Sequence, residues 1–276
     1  MHLRFACSAR PGWARIFTLL LLGLTLSLAG CRKDNNDTAN DSADQLYTKA
    51  KTSLDNGSWD RSIQLYRALQ TRYPFGRYTE QSMLDLSYAY FKRGMPEEAI
   101  STLDRFIRTY PAHPSVDYAY YLKGLVNYEQ NLSFLEKVFP TRIRDRDQSA
   151  AQDAFLDFAE LIRRFPDSRY VPDARQRMVF LRNNLAAYEV TVAKYYMRRG
   201  AYVAAASRAR YAIEVFPNTP EIPEALIVLH KAYSELDMPE LAEGTMEVLA
   251  LNFPDNYYVM GKKRKKSWAS RLWPFD

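Results

Sequence analysis

The sequence predicts an all-α protein, a solenoid of five helical hairpins with about ten helices, and three observations carry that prediction. An aromatic residue followed by proline occurs five times, at Tyr73-Pro74, Tyr110-Pro111, Phe165-Pro166, Phe216-Pro217 and Phe253-Pro254. Seventeen residues before each proline stands a turn-type residue (Gly57, Gly94, Ser149, Gly200, Asp237), and five residues after that a small one (Ser62, Ala99, Ala154, Ala205, Ala242). Composition agrees, because 14% aromatic residues with 20 Tyr and only 10 Gly favour packed helices over turn-rich sheets.

From the N-terminus, residues 1–30 read as a secretory leader. Arg4, Arg10 and Arg15 precede an uncharged, Leu-rich stretch at 16–29, and small residues come just before Cys31. That stretch is shorter than the roughly 20 residues a membrane span needs. Cys7 leaves with the leader, and the single remaining thiol, Cys31, has no partner for an internal disulfide and no second Cys or nearby His for a metal. Leu28-Ala29-Gly30-Cys31 resembles the lipobox of bacterial lipoproteins, in which cleavage falls before the cysteine and the new N-terminal Cys carries acyl chains. That resemblance implies lipidation, palmitate included, at Cys31, and Arg32 after it favours the outer membrane. Residues 31–43 are polar and Asn/Asp-rich, the composition of a flexible tether.

The repeat region runs over 44–254, with an N-terminal half at about 44–128 and a C-terminal half at about 149–254. Positions nine and twelve after each turn residue (Tyr66, Leu103, Phe158, Ala209, Met246; Leu69, Phe106, Leu161, Ala212, Leu249) fall on one helical face with the small residue and the closing aromatic. The proline after the aromatic disfavours α geometry in the residue before it and ends the helix. Pro96 and Pro239, each followed by Glu, suit a first helical turn. Upstream partner helices are apolar on two sides, as with Met83, Leu86 and Tyr90 against Leu84, Tyr88 and Phe91, so each is packed between neighbours. The prolines are spaced by 37, 55, 51 and 37 residues, which places insertions in the middle units. In the third unit, 129–148 reads as a long loop. In the fourth, a first helix over about 172–199 carries Met178, Leu181, Leu185, Tyr188, Val192 and Tyr195 as one unbroken seam.

The repeat resembles the tetratricopeptide family. Arg72-Tyr-Pro-Phe-Gly-Arg-Tyr, Leu84-Asp-Leu-Ser-Tyr-Ala-Tyr, Asp104-Arg-Phe-Ile-Arg, Arg144-Asp-Arg-Asp and Tyr195-Tyr-Met-Arg-Arg-Gly-Ala-Tyr narrow the resemblance to the BamD (ComL) family, lipoprotein subunits of the Gram-negative β-barrel assembly machinery. It implies a scaffold on the periplasmic side of the outer membrane that binds the barrel-shaped subunit through its periplasmic domains, other assembly lipoproteins and nascent outer-membrane proteins. Tyr73, Phe75 and Tyr78 around the first turn and Tyr118, Tyr121 and Tyr128 on the third unit's first helix are the peptide-groove candidates, since first helices of such repeats line the groove and Tyr there offers apolar area plus a hydroxyl to an extended peptide. Arg198, Arg199 and Tyr202 are the candidates for docking the barrel-shaped subunit. A peptidoglycan-acting lipoprotein and a tetratricopeptide coordinator of envelope constriction stand as alternatives. The first lacks a paired-acid motif, and the second would lack the lipobox.

No catalytic or metal site and no cofactor is expected. His113 beside Pro114 and His230 on a packed helix read as turn and core residues, and Glu97-Glu98 is explained by a helix N-terminus. There is no phosphate-type glycine loop. The formal charge of +6 falls to +3 when the leader's three arginines are removed; the tail at 255–276 carries a net +4, which leaves the body at 31–254 about neutral at −1. Lys262, Lys263, Arg264, Lys265 and Lys266 with Trp268, Trp273 and Phe275 fit a solvated tail or a segment held by anionic lipid or an acidic partner. Secretion argues against nucleic acid.

Overall fold

The computed structural model describes residues 40–131 and 148–262. Cys31, most of the tether, most of the 129–148 insertion and the tail beyond Lys262 lie outside the described residues. Within them the chain forms ten α-helices and no strand: α1 (Ala43–Asp55), α2 (Trp59–Arg72), α3 (Arg77–Arg93), α4 (Pro96–Thr109), α5 (Val116–Asn131), α6 (Ser149–Arg164), α7 (Val171–Arg198), α8 (Tyr202–Val215), α9 (Ile222–Glu235) and α10 (Pro239–Asn252). They pair in order as five antiparallel hairpins, a tetratricopeptide-like solenoid.

The repeat register explains each hairpin. Gly57, Gly94 and Gly200 turn in the left-handed region at φ 72°, 75° and 71°, and Asp237 does the same at 56°. Ser149 differs: it opens α6 as a helical residue, because the third unit's connection has been lengthened upstream of it. The small residue then sits at the hairpin crossing, with Ser62, Ala99, Ala154 and Ala205 fully buried and Ala242 6% exposed. Tyr66, Leu69, Leu103, Phe106, Phe158, Leu161 and Leu249 are likewise sealed. Each second helix closes on its aromatic, at φ between −119° and −137°, whose N–H still reaches the carbonyl four residues back. Pro96 and Pro239 stand at the first helical position.

Each helix packs on the next, and first helices also pack on first helices, α1 on α3, α3 on α5 and α7 on α9. One apolar core runs from Leu46 in α1 through to Leu185 and Ala186 in α7, and smaller clusters continue it through α8, α9 and α10.

α7 spans 28 residues, about 42 Å at 1.5 Å per residue. Its seam is not the single line read from the sequence. Leu181 and Leu185 are buried as expected, but burial then moves to Ala186, Val190 and Ala193, and Tyr195 is 49% exposed. The reason is a change of neighbour. The first half of α7 joins the N-terminal core, whereas Val190 packs with Ala212 and Ala225, and Ala193 with Ala205 and Ala209, which approach from another side. Glu129, assigned to the loop by sequence, is still helical at the end of α5. Residues 255–262, assigned to the tail, are turned and docked, with Tyr257, Tyr258 and Val259 against Leu226, Ile227 and Leu249.

Candidate functional site

Three of the groove candidates lie where the chain enters the fold. Ser42 caps α1 in a reciprocal box with Gln45, which fixes Asp41 and Asp44 beside the α2–α3 connection. The Tyr73 hydroxyl donates to the Asp41 carbonyl at 2.9 Å and Tyr78 donates to the Asp44 carboxylate at 2.6 Å. Phe75, between them on a loop that Gly76 turns at φ 106°, is 87% exposed. The Tyr78 ring lies 5.4 Å from that of Tyr47, which in turn meets Tyr66 at 6.1 Å. Behind them Asp85 of α3 accepts from Tyr47 (2.9 Å), Tyr66 (3.2 Å) and Gln81 (3.2 Å). Burial, reinforced by the Asp85 charge, pushes both phenols well above their ordinary range.

The other three candidates form a second cluster between α5 and the start of α7. Tyr121 stacks on Tyr170 at 4.6 Å with 14° between the rings, and Tyr118 meets the same ring at 5.6 Å. The Tyr121 hydroxyl donates to Asp173 at 2.7 Å, and Arg177 bonds that carboxylate at 2.6 Å while lying over the Tyr128 ring at 4.8 Å. Burial and the Asp173 hydrogen bond push the Tyr121 phenol up to about 12. Burial works against the Asp173 carboxylate, but the Arg177 and Tyr121 hydrogen bonds outweigh it and hold the group below its usual range. Tyr128 also meets Phe180, which is 38% exposed. The hydroxyls of Tyr73, Tyr78 and Tyr121 are therefore tied down, which leaves ring faces, exposed Phe75 and Arg177 to present outward.

Arg198 and Arg199 stand exposed where α7 ends, before the left-handed Gly200. Tyr202 opens α8 and is hydrogen-bonded to Glu235, whose charge raises its phenol. Exposed Tyr195 and Val203 flank them. The six aromatic candidates thus fall into two clusters in the N-terminal half, with the arginine corner in the C-terminal half.

Sequence reasoning missed Tyr47, Asp85, Tyr170, Asp173 and Arg177. Acids one or two turns from tyrosines on first helices were the available signal, but their pairing across hairpins is a tertiary fact. Two cavities lie apart from the aromatic candidates. One of about 710 Å³ is lined by Arg67, Gln70, Leu86, Tyr90, Glu98 and Arg105. Another, of about 520 Å³, surrounds Lys123, Asn127 and Asp157. There, burial disfavours the Lys123 ammonium, but Asp104 at 2.9 Å and Asp157 at 3.4 Å more than offset it.

His113 accepts from the Ser115 N–H at 3.0 Å, and His230 Nδ1 lies 2.9 Å from the Ala242 carbonyl, so each has a local structural partner. Among the described residues no group of His, Cys, Asp or Glu is arranged to hold a metal ion, and no helix is long and apolar enough to cross a membrane.

A family model described as YfiO, outer membrane lipoprotein, matches residues 39–249. The outer membrane protein assembly factor BamD of Neisseria meningitidis serogroup B is 41% identical over 93% of this chain and 97% of its own length. BamD of Xylella fastidiosa is 40% identical over 93% and 89%. Among solved structures, a crystal structure of MamA covers 82% of this chain and 98% of its own at 15% identity, with a TM-score of 0.37.

Proposed function

The chain belongs to the BamD family of outer-membrane assembly lipoproteins, and from that membership we propose that it acts as a lipid-anchored scaffold in the assembly of outer-membrane β-barrels. Its anchor is acylated Cys31 on the periplasmic side of the outer membrane, where two or more acyl chains give stable attachment and one would be marginal. The tether to Ser42 lets the solenoid reach its neighbours. The N-terminal half receives the aromatic signal of a nascent barrel protein. The corner at Arg198, Arg199 and Tyr202 docks the periplasmic domains of the barrel-shaped subunit, and other assembly lipoproteins join the same complex.

The observation that carries this reading is the pair of tyrosine clusters. The hydroxyls of Tyr47, Tyr66, Tyr73, Tyr78 and Tyr121 are held by Asp41, Asp44, Asp85 and Asp173, so these rings are fixed in place before a ligand arrives and little ordering remains to oppose binding. Nothing in the arrangement calls for bond-breaking chemistry; the work is to hold partners together at one surface. The test is a pull-down from detergent-solubilised outer membrane with partners identified by mass. Recovery of the barrel-shaped subunit, lost on Arg199→Glu, is expected. Recovery of no barrel-assembly component would overturn the reading, and intact recovery with Arg199→Glu would remove the docking assignment alone.

A further inference from the structure

Among the described residues the solenoid ends on a helix whose outer side no further repeat covers. α10 turns Ala242, Thr245 and Leu249 inward, while Leu241, Val248 and Leu251 are 50%, 46% and 83% exposed. Spaced by three and four residues with Gly244 between them, these three side chains form one apolar stripe. Glu240, Glu243 and Glu247, all exposed, run beside it as an acidic stripe. Each unit of a solenoid hides its apolar surface only against a neighbour, so a terminal unit needs a cap of its own.

The chain brings a matching segment to this place. After α10 it turns back across α9, where Tyr257 donates to Glu224 at 3.1 Å and the Tyr258 ring lies 5.7 Å from His230. His230 in turn touches the Ala242 carbonyl of α10. Lys262, whose N–H bonds the Tyr257 carbonyl, is thus held beside α9 in the last hairpin. Residues 263–276 follow, and 14 residues reach up to about 46 Å extended, against about 15 Å for the stripe. They carry Lys263, Arg264, Lys265, Lys266 and Arg271, opposite in charge to the glutamates, and Trp268, Leu272, Trp273 and Phe275 to set against the stripe.

We propose that residues 263–276 dock in cis on the outer face of α10, the basic residues along Glu240, Glu243 and Glu247 and the aromatic ones over Leu241, Val248 and Leu251, as the C-terminal cap of the solenoid. A second copy of the chain fits the face less well, since a symmetric α10–α10 contact would set glutamates against glutamates.

The test uses the chain from residue 31 onward, which retains every described residue, with Cys31→Ser so that Ser270→Cys bears the only thiol. A nitroxide on that thiol is expected to remove amide signal intensity from residues 240–251 and leave residues 43–72 untouched. Glu240→Lys, Glu243→Lys and Glu247→Lys together should restore the α10 signals, with the remaining spectrum showing that the fold is intact. Unchanged α10 intensities would overturn the proposal. So would intensity loss that also appears when the nitroxide sits on an isotopically silent copy, which assigns the face to a second molecule. Undiminished α10 signals together with tail-dependent sedimentation on phosphatidylglycerol vesicles would make the tail a membrane segment instead.

Discussion

The Asp85 carboxylate takes three donors, from Tyr47, Tyr66 and Gln81, and joins the first hairpin to the second. Tyr66 is fully buried, so Asp85→Ala leaves its hydroxyl without an acceptor at a cost of about 1–3 kcal/mol. The expected drop in Tm is about 2–4 °C per kcal/mol for a domain of this size; Tyr66→Phe, which removes the hydroxyl itself, should cost less. A Tm for Asp85→Ala equal to the parent's would disprove the role. Gly124 acts through contact instead: a Cβ there would sit 2.5 Å from the ring of buried Phe158. Alanine gains up to about 1 kcal/mol in helix propensity, yet overpacking costs about 1–3 kcal/mol. Gly124→Ala should therefore lower the urea midpoint, and Phe158→Leu in the same chain should recover part of it. The tyrosines also set the alkaline limit. Tyr47, Tyr66 and Tyr118 are raised by burial, and Tyr121 reaches about 12, from an ordinary value of 10.0. Each phenol holds its proton more tightly folded than unfolded, so the stabilisation is complete below pH 10 and is lost as pH rises through the folded values. Calorimetry across that range should show Tm falling, with phenolate absorbance rising together with unfolding; ionisation of all tyrosines at their ordinary value without unfolding would contradict it.

At the scale of elements, α7 does most to unite the molecule, because its first half completes the N-terminal core and its second half seats α8 and α9. Leu181, fully buried near the middle of the helix, is a position where Leu→Ala should cost about 2–5 kcal/mol. The urea midpoint should fall with the slope unchanged if the two halves unfold together; two separate transitions would show that α7 does not couple them. The hairpins themselves were legible from sequence, since a proline, a turn residue and a small residue at fixed offsets dictate where each second helix starts, crosses and stops. The α7 seam was less legible. Helical periodicity identifies a face but not which neighbour covers it, so Tyr195, in phase with Leu181 and Leu185, turned out exposed.

For the molecule as a whole, the proposed anchor at Cys31 and the proposed docking corner at Arg198, Arg199 and Tyr202 are far apart in sequence, which makes the two proposals separable by mutation. Cys31→Ser should abolish incorporation of radiolabelled palmitate and release the protein from the membrane pellet. The helical circular dichroism of the solenoid should be unchanged, because Cys31 lies outside the described helices, which run from Ala43 to Asn252. Palmitate incorporation in that variant would rule out Cys31 as the acylated residue.

Sequence alone determined the solenoid, because its determinants are local: turn residues that adopt left-handed geometry, prolines that stop helices, and a small residue where helices cross. Arg198, Arg199 and Tyr202, proposed from the resemblance, lie within five residues across the single turn between α7 and α8, so their proximity too was readable from sequence. Only the tertiary structure decided how the six aromatic candidates divide into two clusters and which side chains hold them. Asp85 reaches Tyr47 and Tyr66 across hairpins, and Asp173 reaches Tyr121 over 52 positions of sequence. Hydrogen bonds between residues so far apart follow from how hairpins stack, and a period within one helix carries no information about that stacking.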